Sequence, residues 1–179
     1  MKPFLTLSAW IDALTNGFGA IAKWAVLAAC LISAGNAGVR YAFNVSSNAY
    51  LEIQWYLFAA VVMLGTAQVL RLNEHVRVDV LYGRYAVRTK VLIDLFGLIF
   101  FLMPVMLVMV YLSWPMFIGM YNSGEMSSNA GGLIRWPVML MIPLGFALLI
   151  LQGVSEIIKR IAWLQNKLDM DVHYERPLQ

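Results

Sequence analysis

Cysteine occurs once in this sequence, at Cys30, and histidine twice, at His75 and His173. A lone cysteine within an apolar run excludes an intramolecular disulfide and a cysteine-built metal site, and reads as a small core residue. Neither histidine falls in an apolar run, which argues against a bis-histidine haem bundle, a zinc site or a histidine proton relay. There is no glycine-rich phosphate loop and no serine-nucleophile motif. An enzyme is the weakest reading, and no metal or cofactor is expected in this chain. Charge is scarce too: 13% of the 179 residues are charged against 61% hydrophobic, and the mean hydropathy of +0.71 is too high for a soluble fold with a polar shell. The net charge of +3 invites an anionic partner. Because the basic residues gather where apolar runs end, they read as topology determinants, and no nucleic-acid partner is expected.

The apolar runs predict an all-α integral membrane protein with four transmembrane helices, at about 20–43, 51–70, 91–114 and 136–158. Ahead of them, residues 1–19 place Phe4, Leu7, Trp10 or Ile11, Leu14 and Phe18 at helical spacing, with Thr6, Asp12, Thr15 and Asn16 polar. That pattern predicts an amphipathic helix in the membrane interface. In the first span Ala25, Ala29, Ser33 and Ala37 recur every four residues, a face suited to close helix packing. Glu52, Gln54, Trp55 and Tyr56 form a polar and aromatic belt at the start of the second. Pro104 interrupts the third span, and Pro115 is read as its end, opening a Gly-, Ser- and Asn-rich loop over 115–135. Residues 161–179 form a tail.

The segment 71–90 carries five of the thirteen Lys and Arg residues and lies between the two hairpins of spans. The N-terminus, this hinge and the tail share one side, whereas Arg40 and Arg135 are the basic residues opposite. Positive residues stay in the cytoplasm, so the topology expected is N-in and C-in. Within the hinge, Glu74, His75, Arg77 and Asp79 have the residue types of acid–base chemistry but read more simply as a solvated or partner-docking loop. Asp94 is an acidic residue inside a span: either an ion-coupling carboxylate, or a first-turn residue within reach of Lys90. No internal repeat and no broken helix of the kind secondary transporters use is apparent.

The stretches EHVRVDVLYGR in the hinge, QWYLFAAVVMLGTAQVLRLN before it, IDLFGLIFFLMPVMLVMVYLSWPMF after it and GGLIRWPVMLMIPLGFALLILQGVSEIIKR together resemble the small, Q-type membrane subunit of tripartite ATP-independent periplasmic (TRAP) transporters. The resemblance covers roughly Tyr50 to Arg160. It implies a bacterial or archaeal inner-membrane complex in which a periplasmic binding protein captures a carboxylate substrate. A large multi-span subunit carries that substrate by an elevator-like movement coupled to sodium, and holds the sodium sites; the small subunit is a scaffold beside it. On that reading Trp10, Trp55, Phe58 and Trp114 meet the large subunit or membrane lipids. Glu74, Arg77, Asp79, Arg84 and Asp94 are further candidate partner or lipid contacts, and Glu125, Arg135 and Trp136 face the binding protein's side. The alternative is an independent four-helix carrier or channel using Asp94; a third reading is a membrane adaptor unrelated to transport.

Overall fold

A computed structural model describes residues 1–45, 47–73 and 85–169. The expectations for Glu74, His75, Arg77, Asp79, Arg84 and His173 therefore lie outside the described residues. The chain forms helices α1 (Lys2–Phe43), α2 (Asn48–Leu72), α3 (Val87–Gly97), α4 (Met103–Ser123) and α5 (Trp136–Leu164), with a π-helical turn at Leu98–Leu102 joining α3 to α4. Among the described residues, four helical stretches are long and apolar enough to cross a membrane: α1, α2, the continuous Val87–Ser123 and α5.

The ends of these helices follow from local chemistry. Asn44 closes α1 and Asn73 closes α2, both in the left-handed conformation that asparagine tolerates. Ser47 opens α2, its hydroxyl accepting from the Ala49 amide at 3.3 Å. Pro104 has no N–H to give its preceding turn, and the ladder widens just before it: the Met103 amide bonds Leu98 O, five residues back.

Two boundaries and the burial of one residue differ from the sequence expectation. No break occurs at residue 19, so the N-terminal segment and the first span are a single helix of 42 residues, about 63 Å long. Pro115 does not end α4, which continues to Ser123 and stops at Gly124 in the left-handed region (φ 61°). A proline inside a helix forfeits a hydrogen bond, a loss that membrane helices absorb, and MFIGMY beyond it stays apolar. Cys30 is exposed rather than in the core. It sits about 100° around the helix from buried Ala29.

The centre of the bundle is α5, which packs against α1, α2, α3 and α4, while α1 lies along α2. The inward stripe of α1 is Ser8, Ile11, Thr15, Gly19, Ala22, Ala25 and Ala29, at three- or four-residue spacing throughout. Ala22, Leu64, Ala67 and Leu148 form one core cluster and Leu70, Leu98 and Leu149 another. Small residues let the backbones approach. A Cβ on Gly145 of α5 would lie 2.7 Å from the Met63 carbonyl oxygen of α2. By contrast α4 buries little but Ser113 and presents apolar residues over most of its circumference.

Candidate functional site

Two polar clusters hold the bundle, one at each end. At the end where α1 and α3 begin and α2 ends, Gln152, Ser155, Glu156 and Lys159 occupy positions i, i+3, i+4 and i+7 of α5 and form one face. Opposite them, α1 presents Ser8, Asp12 and Thr15, also on one face. The segment expected to be an amphipathic interfacial helix thus turns part of its polar face toward α5. Ser8 and Thr15 are 2% and 1% exposed, whereas Trp10 is 73% exposed and Phe4, Leu7 and Leu14 point outward with it. In lipid the outside offers apolar groups no penalty, so the buried polar pairs set the orientation.

Gln152 is fully buried and all its polar atoms are used. Its Oε1 accepts from Thr15 Oγ1 at 2.9 Å, and its Nε2 donates to Asp12 Oδ1 at 3.0 Å and Glu156 Oε1 at 3.1 Å. A flipped amide would set its oxygen against two carboxylates, so the network fixes the rotamer. Ser155 has one proton and gives it to Asp12 Oδ1 at 2.9 Å; Ser8 then donates to Ser155 Oγ at 2.7 Å.

Around these bonds the charges alternate in a connected chain. Asp94 of α3 pairs with Arg160 at 3.3 Å, Arg160 with Glu156 at 2.5 Å, Glu156 with Lys159 at 2.9 Å, Lys159 with Asp12 of α1 at 2.7 Å, and Asp12 with Arg71 of α2 at 3.6 Å. Arg71 also donates to Asn16. All four membrane-length stretches contribute a charge. Glu156 and Arg160 are nearly buried, with side chains 6% and 7% exposed. A buried charge is tolerable only when paired, and here each carboxylate of the chain faces a cation held by another part of the bundle or by α5 itself.

At the opposite end, Glu52 reaches from α2 into the loop that follows α4. Its carboxylate accepts from the Leu133 amide at 2.7 Å, from Asn129 Nδ2 at 2.8 Å and from Ser127 Oγ. Tyr56 Oη donates to Ile134 O at 2.9 Å and Asn48 Nδ2 to Ala130 O at 3.2 Å. Within the loop, Ser127 N bonds Leu133 O and Arg135 N bonds Glu125 O, both at 2.9 Å. A segment read from composition as a plain connection is therefore a folded, α2-anchored loop. Glu52→Ala removes the common acceptor, and hydrogen exchange at the Leu133 amide is expected to accelerate while amides of the α5 core keep their protection. Unchanged exchange at Leu133 would show that the loop holds itself.

The sequence candidates are distributed unevenly over these clusters. Asp94 belongs to the ion chain. Glu125 and Arg135 pair with each other at 2.6 Å, both about half exposed, so the pair is worth at most about 1 kcal/mol. Trp136 meets Tyr121 edge-on, with ring centroids 5.6 Å apart, tying the starts of α5 and the end of α4 together. Trp55, Phe58 and Trp114 are exposed on the lateral surface, as is Trp10. Sequence reasoning missed Glu52, Asp12, Glu156 and Gln152 as anchors. For Gln152 and Glu156 the available signal was four polar residues on one face of an otherwise apolar span.

A family model described as Tripartite ATP-independent periplasmic transporters, DctQ component, matches residues 29–162. The matched stretch contains Asp94, Glu156, Lys159 and Arg160 and leaves Asp12 outside it. No curated protein and no solved structure matches the chain.

Proposed function

The chain belongs to the DctQ component family of tripartite ATP-independent periplasmic transporters, and from this membership we propose that it is the rigid scaffold of such a transporter, bracing a large elevator-type subunit. It is a multi-pass membrane protein and a transporter component, not an enzyme. The observation that carries the proposal is the ion-pair chain joining all four membrane-length stretches. A carrier's coupling site must release its ligand and change its contacts, whereas these charges are engaged with one another across helices. The pairing of Asp94 with Arg160 supports a structural role for Asp94 rather than an ion path.

The proposed setting is the bacterial or archaeal inner membrane, with both termini in the cytoplasm. The ion chain then lies at the cytoplasmic boundary, and the Glu52-anchored loop faces the periplasm. The broad apolar surface of α4, with Trp114, Phe100 and Phe101 exposed beside it, supports contact with the large subunit or with lipid. Uptake would be sodium-coupled and dependent on a binding protein, with an organic acid or other carboxylate as substrate, and with substrate and sodium held by the large subunit.

Mild-detergent purification of the tagged chain from its native membranes tests this reading. Expected is an equal amount of a large multi-span protein, with reconstituted uptake requiring that protein, this chain, a binding protein and a sodium gradient. Asp94→Asn is expected to keep the transport rate within about twofold while lowering thermal stability, as loss of a half-buried ion pair does. Recovery of this chain alone, active in liposomes and silenced by Asp94→Asn, would overturn the proposal in favour of an independent carrier.

A further inference from the structure

An open furrow of about 490 Å³ runs between α1 and α2, lined by Ala22, Gly65, Val26, Val62 and Val69, with Lys23 and Gln68 about midway along it. A second, of about 570 Å³, lies further along the same two helices and has Arg40 on its lining. The Lys23 and Arg40 side chains make no ion pair or hydrogen bond among the described residues. Seventeen residues of helix separate them, about 26 Å of rise, close to the thickness of a bilayer's hydrocarbon core. The two cations are therefore spaced to extend toward opposite headgroup layers, and the first furrow continues along the helices to either side of Lys23, from Gly19 and Leu72 to Val26 and Val61.

We infer that the α1–α2 furrow beside Lys23 seats a phospholipid, its phosphate on the Lys23 ammonium and one acyl chain lying over Ala22 and Gly65. Valine, alanine and glycine make up most of the lining, the Thr66 hydroxyl is spent on the Val62 carbonyl, and the Gln68 amide is the polar side chain left beside Lys23. An apolar chain fits the valine and alanine part of that lining, and the Lys23 ammonium beside it, unpaired among the described residues, calls for an anion. A protein helix would have to bring an acidic side chain there, whereas lipid phosphates are always present in the headgroup layers. The occupant goes beyond the scaffold role and does not depend on it.

The test is native mass spectrometry of the full chain, delipidated in detergent and titrated with phosphatidylglycerol. One tightly retained lipid is expected, with apparent affinity falling about fivefold in Lys23→Gln. Val62→Trp, at an exposed wall position, should also weaken binding by filling the furrow without altering charge. Arg88→Gln, an exposed cation elsewhere, removes the same charge and should bind as the wild type does. Unchanged binding in both Lys23→Gln and Val62→Trp overturns the inference. So does displacement of the lipid by inorganic phosphate, which would make this a free-phosphate site, or by the large subunit, which would give the furrow to protein.

Discussion

Arg160→Ala is expected to lower the stability of the bundle by about 3–5 kcal/mol, because it leaves Glu156 buried with half its pairing gone and Asp94 without its cross-helix cation. In a thermal melt of the detergent-solubilised protein, that corresponds to a fall of roughly 10 °C. The cost arises from the stranded charge rather than from the intrinsic worth of the ion pair. Replacing both members with apolar residues, as in Glu156→Leu with Arg160→Leu, should therefore recover much of the loss, since Lys159 keeps Asp12. An Arg160→Ala protein that melts with the wild type would mean that the chain of charges does not hold the helices together. A double variant no better than the single would place the stability in the pair itself.

The second large effect is expected at Gly145. Any side chain there must displace the backbone carbonyl of Met63, which cannot rotate away as a side-chain tip can. Gly145→Leu should cost about 3 kcal/mol through separation of α2 from α5, the cost of overpacking a filled contact. Gly35 provides the opposite case: nothing lies within 4 Å of a Cβ at that position. Gly35→Ala should be neutral or stabilising by up to about 1 kcal/mol from helix propensity alone. The two substitutions differ in sign only if the α2–α5 approach is as close as described. Equal melting temperatures for both variants would show that it is not.

Composition and run length were enough to read four membrane-length helices, because lipid permits few ways to satisfy a backbone within it. Their faces were less legible. Ala25, Ala29, Ser33 and Ala37 look like a packing stripe, but a strict four-residue repeat drifts about 40° per step around the helix. Ala25 and Ala29 are buried, and Ser33 and Ala37 have rotated outward. Likewise Thr15 and Asp12 looked like a solvent-facing edge, since a polar face normally meets water. Their true partners, Gln152, Ser155 and Lys159, are some 140 residues away, and only the register of α1 on α5 brings them together. Glu52 carried no local sign of its role, because all three of its donors come from a loop whose own fold composition does not specify.

The ion chain has a further consequence in its sum. Asp94, Glu156 and Asp12 contribute three negative charges and Arg160, Lys159 and Arg71 three positive ones, so these six residues, taken among the described ones, sum to zero. A transmembrane potential acts on a net charge with about 2.3 kcal/mol per 100 mV, and on a neutral constellation it exerts no net pull. An energised membrane thus has little purchase on this end of the protein. Voltage that drives ions through a neighbouring subunit would leave it where it stands.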